Sequence, residues 1–122
     1  MADYLPLYFP GEKVPCTTSA AVTAGQVLIV SGNNTVAASS AAAVAFGIAA
    51  YDDPVGGAQI MAYRDGIHVL AASGAINAGD AVVPAASGAV AAIGSDTNYA
   101  HVVGQALAAA SGGKVTVALR LG

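Results

Sequence analysis

Ser19–Ala20–Ala21–Val22–Thr23–Ala24–Gly25–Gln26 returns 54 positions later as Ser73–Gly74–Ala75–Ile76–Asn77–Ala78–Gly79–Asp80. The residues after each copy repeat as well, so the stretch marks a duplicated unit. Without a gap, Val27–Leu28–Ile29–Val30 falls on Ala81–Val82–Val83–Pro84, and Val36–Ala37–Ala38 falls on Val90–Ala91–Ala92. A short insertion around Asp96–Asn98 then shifts the register. Beyond it, Val44–Ala45–Phe46–Gly47–Ile48–Ala49 matches His101–Val102–Val103–Gly104–Gln105–Ala106. The copies also close alike. Gly56–Gly57, Ala62, Arg64 and Gly66 answer to Gly112–Gly113, Ala118, Arg120 and Gly122. Residues 19–122 are therefore read as a single domain made of two similar halves, 19–66 and 73–122.

Each half reads as short strands. Residues 26–31 are apolar and β-branched, Gly32–Asn33–Asn34 tolerates positive φ, and residues 35–38 are expected to pair back as a hairpin. Residues 44–49 form an apolar run closed by Asp52–Asp53–Pro54 and Gly56–Gly57. Residues 58–64 and 67–71 flank Asp65–Gly66, a two-residue hairpin signal. In the second half, residues 81–83, 89–93, 100–106 and 114–121 repeat the scheme. Val115, Val117 and Leu119 share one face at period two. Alanine gives residues 38–45 and 105–111 some helix propensity, but neither carries a long amphipathic period. The fold class is all-β, a compact barrel or sandwich, tulip- or clip-like in outline.

Composition narrows the function. The 122 residues are 56% hydrophobic and 9% charged, with four Lys+Arg against seven Asp+Glu. A net charge of −3 excludes a protein that tracks nucleic-acid phosphates or a polybasic membrane surface binder. Mean hydropathy is +0.65. Yet the longest nearly apolar stretch, residues 41–50, is far short of the ~20 residues of a membrane-spanning helix. The start has no charged segment followed by an apolar one, so no signal peptide is expected. One cysteine, Cys16, leaves no intrachain disulfide and no multi-cysteine zinc site. Much of the apolar content is alanine, which buries little area. Subunit or partner contacts are therefore expected to supply part of the stability.

Residues 1–18 lie outside the repeat and are read as an extended N-terminal arm. They carry Tyr4, Tyr8 and Phe9 together with Pro6, Pro10 and Pro15. Proline at this spacing favours extended chain and excludes a helix interior. Large apolar side chains on such a terminus suit docking into a groove elsewhere. They equally suit a first strand packed on its own barrel.

No constellation for catalysis emerges, and no enzyme is expected. His68 and His101 occupy different places in the two halves and make no paired ligand set, so neither metal nor cofactor is expected. Asp52–Asp53 fits turn chemistry better than a calcium site, which wants six or more oxygens. Cys16 lacks a neighbouring base and reads as a buried or interface thiol. No G-x-S-x-G elbow, phosphate-binding loop or dinucleotide fingerprint is present. Arg64 and Arg120 stand at equivalent repeat positions near strand ends. They suit either carboxylates across a subunit interface or solvated edge charges that discourage strand addition.

The residues do resemble a family. Met1–Ala2–Asp3–Tyr4–Leu5–Pro6–Leu7–Tyr8–Phe9–Pro10–Gly11 is similar to the M-A-x-Y-x-P-x-x-x-P-G start of small bacteriophage capsid decoration, or cement, proteins. Residues 17–27, Phe46–Gly47–Ile48–Ala49, Gly66–Ile67–His68–Val69–Leu70, residues 71–80, Val102–Val103–Gly104–Gln105–Ala106 and Lys114–Val115–Thr116–Val117 share its look. The resemblance implies a β-rich, non-catalytic protein, made in the host cytoplasm, on the outer surface of the virion capsid. It implies trimers that bind the major capsid protein and resist bursting under packaged DNA. Tyr4, Leu5, Leu7, Tyr8 and Phe9 match the family's apolar start, which makes them candidates for contact with the capsid or a neighbouring subunit. A carbohydrate-binding or adhesive β-module of a phage tail or cell surface is the rival class. It would present an aromatic platform, whereas Tyr51, Tyr63 and Tyr99 are scattered singly.

Overall fold

The structure is a computed structural model, and it describes residues 13–41, 43–94 and 96–120. Among the described residues ten strands occur in order: β1 (Lys13–Thr18), β2 (Val27–Gly32), β3 (Thr35–Ala38), β4 (Ala45–Ala49), β5 (Gln59–Tyr63), β6 (Ile67–Ala71), β7 (Ala81–Pro84), β8 (Val90–Ala92), β9 (Gly104–Ala106) and β10 (Lys114–Leu119). Two 3₁₀ turns, Ala86–Gly88 and Tyr99–His101, complete the described elements. The protein is all-β. The alanine-rich segments 38–45 and 105–111 contribute no α-helix among the described residues.

The strands form a closed barrel in the order β1-β3-β2-β4-β5 and a second five-stranded sheet in the order β6-β10-β9-β7-β8. Pairing in the two sheets uses matching registers. Leu28 stands opposite Gly47 and Ala38 in the barrel. Val82, 54 positions on, stands opposite Gly104 and Ala92. Thr18 pairs in parallel with Val36, and Ala72 pairs in parallel with Val90. Gly47 and Gly104 sit where β4 and β9 cross tightly over their neighbours. A Cβ on Gly47 would meet the Tyr63 carbonyl oxygen at 2.6 Å, and one on Gly104 would come closer still to that of Ala118. Only a residue without a side chain fits either crossing.

Alternation along the strands builds two cores. Inside the barrel lie Val14, Cys16, Leu28, Val36, Ile60 and Ala62. The neighbouring residues Val27 and Ile48 point out through the barrel wall. They join Leu70, Val82, Val103 and Val117 in the core of the second sheet. Polar contacts tie the same seam. Ser39 Oγ donates to the Ala85 carbonyl at 2.8 Å, and Gln26 Nε2 donates to that of Ser87 at 3.0 Å.

One open alternative is decided and one expectation changes. Lys13–Thr18, within the stretch read as arm, is a barrel strand paired with β5 over its length and with β3 at its end. Alternation explains it: Val14, Cys16 and Thr18 face inward and are buried. The expected 58–64/67–71 hairpin does not form, because β5 pairs with β1 and β4 whereas β6 pairs with β10. A tight type I′ turn needs positive φ at both central residues. Gly66 has it, at 102°, and Asp65 does not. Asp65–Gly66 is the crossover between the two sheets.

Candidate interface site

Arg64 leaves the end of β5 and lies over the Phe46 ring, its Cζ 4.8 Å from the centroid. Such a cation–π contact holds the guanidinium flat against the barrel end. Beside it opens a cleft of about 550 Å³, walled by Ile29, Val30, Val44 and Ala45 from the barrel side and by Ala100 and Val102 from the loop that precedes β9. Val30 is 61% exposed and Val44 59%, so the cleft floor is apolar surface facing solvent. A smaller cleft of about 330 Å³ lies on the other side of Val102 and is lined by Tyr99, Gln105 and Arg120. The structure thus gathers Arg64 and Arg120 around one loop, residues 96–102. Among the described residues, neither arginine has a carboxylate within ion-pair distance. Tyr4, Leu5, Leu7, Tyr8 and Phe9 lie outside the described residues.

That loop is held from within. Asp96 Oδ2 and His101 Nδ1 are 2.8 Å apart, and the histidine contact lowers the Asp96 pKa. Asp96 Oδ1 accepts from the Asn98 backbone N–H, and Asn98 Oδ1 accepts from that of Ala100. These bonds fix a 3₁₀ turn that leaves Tyr99 75% exposed at the rim between the two clefts. Sequence reasoning did not single out Tyr99, Val44 or Val102 for the site. The signal lay in the insertion at residues 96–98: the three residues that break the repeat build the loop shared by both clefts.

The Asp53 carboxylate serves an internal role. Thr18 Oγ1 donates to Oδ2 at 2.5 Å, the Ala58 N–H donates to Oδ2 at 3.1 Å, and the N–H groups of Val55 and Gly56 donate to Oδ1. With Thr18 as the strongest contributor, these donors hold the carboxyl pKa down to about 2. Asp52 accepts instead from the Ala24 N–H at 2.7 Å, tying the 52–58 loop to the repeat turn. Cys16 is buried on β1, and burial raises its thiol pKa, which makes it a poor nucleophile. Among the described residues, no group of three or more His, Cys, Asp or Glu is placed to hold a metal. No helix there is long and apolar enough to cross a membrane.

An apolar cleft and two arginines thus flank one loop of a small all-β scaffold. A family model described as phage cement protein matches residues 10–121, and the chain belongs to that family. It is a capsid-associated structural protein of a bacteriophage, in a family that is structural and not enzymatic. Among solved structures, the head fiber gp8.5 N base of bacteriophage phi29 is similar, with a TM-score of 0.69 at 18% identity. The alignment covers 88% of this chain and 92% of that one, a likeness of fold. No curated protein sequence matches the chain.

Proposed function

We propose that this protein decorates the outer surface of a phage head, binding the major capsid protein as a homotrimer and stabilising the shell against the pressure of packaged DNA. The match to the phage cement family over residues 10–121 carries the reading. The physical features support it. A shell binder works through many weak contacts repeated by symmetry, so avidity replaces strong single sites. Alanine-rich, weakly charged surface costs little to desolvate on contact with another subunit. Tyr4, Leu5, Leu7, Tyr8 and Phe9 serve as apolar contacts to shell or neighbour. Arg64 and Arg120 serve as cations at the rim of the same interface. The chain carries out no turnover, needs no cofactor and is made in the host cytoplasm before it joins finished heads.

The test is particle association with stoichiometry. Particles are banded on a density gradient, and this chain is quantified against the most abundant shell protein. Copies in the same range as the shell protein, released by mild denaturant before the shell opens, are the expected result. A handful of copies per particle, or none, contradicts decoration and favours an adhesive module on tail or surface.

A further inference from the structure

We propose that the open edge of β6 pairs with β6 of a second copy of this chain, across a two-fold axis. The choice of partner rests on the decoration reading, which sets many copies side by side. The edge itself is read from the two halves of the fold.

The backbone fixes which residues form the edge. Leu119 N–H donates to the Gly66 carbonyl, and Ala72 N–H donates to that of Gly113. Even-numbered residues of β6 therefore turn their backbone groups to β10, and Ile67 and Val69 turn theirs the other way. Among the described residues, no strand pairs with Ile67 or Val69 on that side. The first contact there is the bridge from Ala72 to Val90. The two side chains are open as well, Ile67 at 65% and Val69 at 63%. A β-branched, uncharged edge of this kind is a template for another strand.

The barrel supplies the control. Thr18 and Ala72 make equivalent parallel bridges, to Val36 and Val90, so Lys13 and Pro15 hold the places of Ile67 and Val69. Thr18 N–H donates to the Ala58 carbonyl, which gives β1 the same alternation and turns Pro15 away from β5. Proline has no N–H to offer an added strand. The duplicated edge is thus blocked in the first half and open in the second.

An extended strand is what such an edge takes, and β6 itself fits. Set antiparallel about His68, Ile67 of each copy faces Val69 of the other and exchanges backbone hydrogen bonds with it. The facing residues make β-branched cross-strand pairs. The overlap stops short of Ala72, where Val90 already occupies the edge. No Asp, Glu, Lys or Arg lies from Gly66 to Ala71, or from Val115 to Leu119 on β10, so the two-fold brings no like charges together. The contact is isologous, hence separate from the three-fold contact of a homotrimer, and it ties copies of different trimers. It forms in the free protein and persists on the head.

The test compares the full-length chain with Val69→Pro, which copies the barrel's Pro15 and removes no bond to β10. Analytical ultracentrifugation is expected to show paired species in the parent, and Val69→Pro is expected to lower their fraction at least about tenfold. Ile67→Lys, which charges the edge, repeats the test should the proline variant misfold. Register is read by co-expressing differently tagged Ile67→Cys and Val69→Cys chains under oxidation. Facing residues of such a pair lie ~5.5 Å apart, within disulfide reach. The mixed disulfide is expected at least about fivefold above either variant alone. An unpaired parent, or folded Val69→Pro that pairs as well as the parent, overturns the proposal. So does slow amide exchange at Ile67 and Val69 in unpaired protein, which would put the chain's own residues on the edge. Slowing of those amides only on particles also overturns it, by giving the edge to the shell. Particle association is measured separately, so decoration can fail while pairing in the free protein holds, and the reverse.

Discussion

The barrel and the second sheet use the same pairing scheme and differ in how they become complete. The barrel closes on itself around small side chains, Ala49, Ala62, Cys16 and a few branched residues. The second sheet borrows Val27 and Ile48 from the outside of the barrel to finish its core. One loop position shows the same contrast. In the barrel, the backbone pair Val22–Asp53 carries a carboxylate that gathers the donors of the next turn. In the second sheet, the matching bond joins Ala110 N–H to the Ile76 carbonyl. Both loops turn on a positive-φ glycine pair, Gly56–Gly57 at 98° and 85° and Gly112–Gly113 at 61° and 75°, the second between paired Ser111 and Lys114. A duplicated framework thus keeps one conformational solution, a positive-φ Gly-Gly turn, and adds a carboxylate that collects backbone donors in the barrel copy only. The pairing register carries the fold, and the loops are free to diverge.

The comparison is broken most severely at the seam. Ile48→Ala removes a fully buried side chain shared by both sheets and is expected to cost ~2–5 kcal/mol. Because the core is common, thermal unfolding remains one transition at lower temperature. Two separate transitions in calorimetry would show the sheets to be independent.

The paired crossings come next. Gly104→Ala is expected to cost ~1–3 kcal/mol or more, through overpacking against backbone that cannot yield. Gly47→Ala, with a longer approach to its neighbour, is expected to cost less. Denaturant titration of both variants gives the order, and a reversed order would contradict the geometry.

The loop solutions are separated by pH. Asp53 has its pKa lowered to about 2 from an ordinary 3.8, so it stabilises the fold above about pH 4. That contribution is lost as pH falls from about 4 towards 2. Asp53→Asn is expected to flatten the fall in melting temperature across this window. A variant that still loses stability there as steeply as the parent would assign the acid sensitivity elsewhere.

The smallest effect belongs to Arg64. Arg64→Ala removes a cation–π contact at a half-buried site and is expected to cost ~0.5–1 kcal/mol of stability. Its effect on particle binding is expected to exceed its effect on melting. The reverse would make Arg64 a structural residue only.

Much of this architecture is legible in the sequence because its signals are local. β-Branched runs, turn glycines and the repeated Ala-Gly and Gly-Gly order lie within a few residues of what they control. The Asp65–Gly66 crossover was not legible, because a dipeptide suited to a hairpin does not reveal which sheet each flanking strand will join. Lys13–Thr18 was legible only as one of two alternatives, a docking arm or a first barrel strand. Pro15 is accommodated where β1 faces β5, and only the partner strand makes the inward alternation of Val14 and Cys16 meaningful. For the site, the equivalence of Arg64 and Arg120 was visible along the chain. Their convergence on the 96–102 loop is a consequence of packing one sheet on the other, which no local pattern encodes.

Hydrogen exchange of the protein on particles against the free chain tests most directly whether that shared face is the interface. Amides of residues 29–30, 43–46 and 99–102 are predicted to slow on binding. Those of Ile67–Ala71, whose exposed Ile67 and Val69 lie on β6, are predicted to keep their free rates. Protection confined to β6, with the clefts unchanged, would contradict the account.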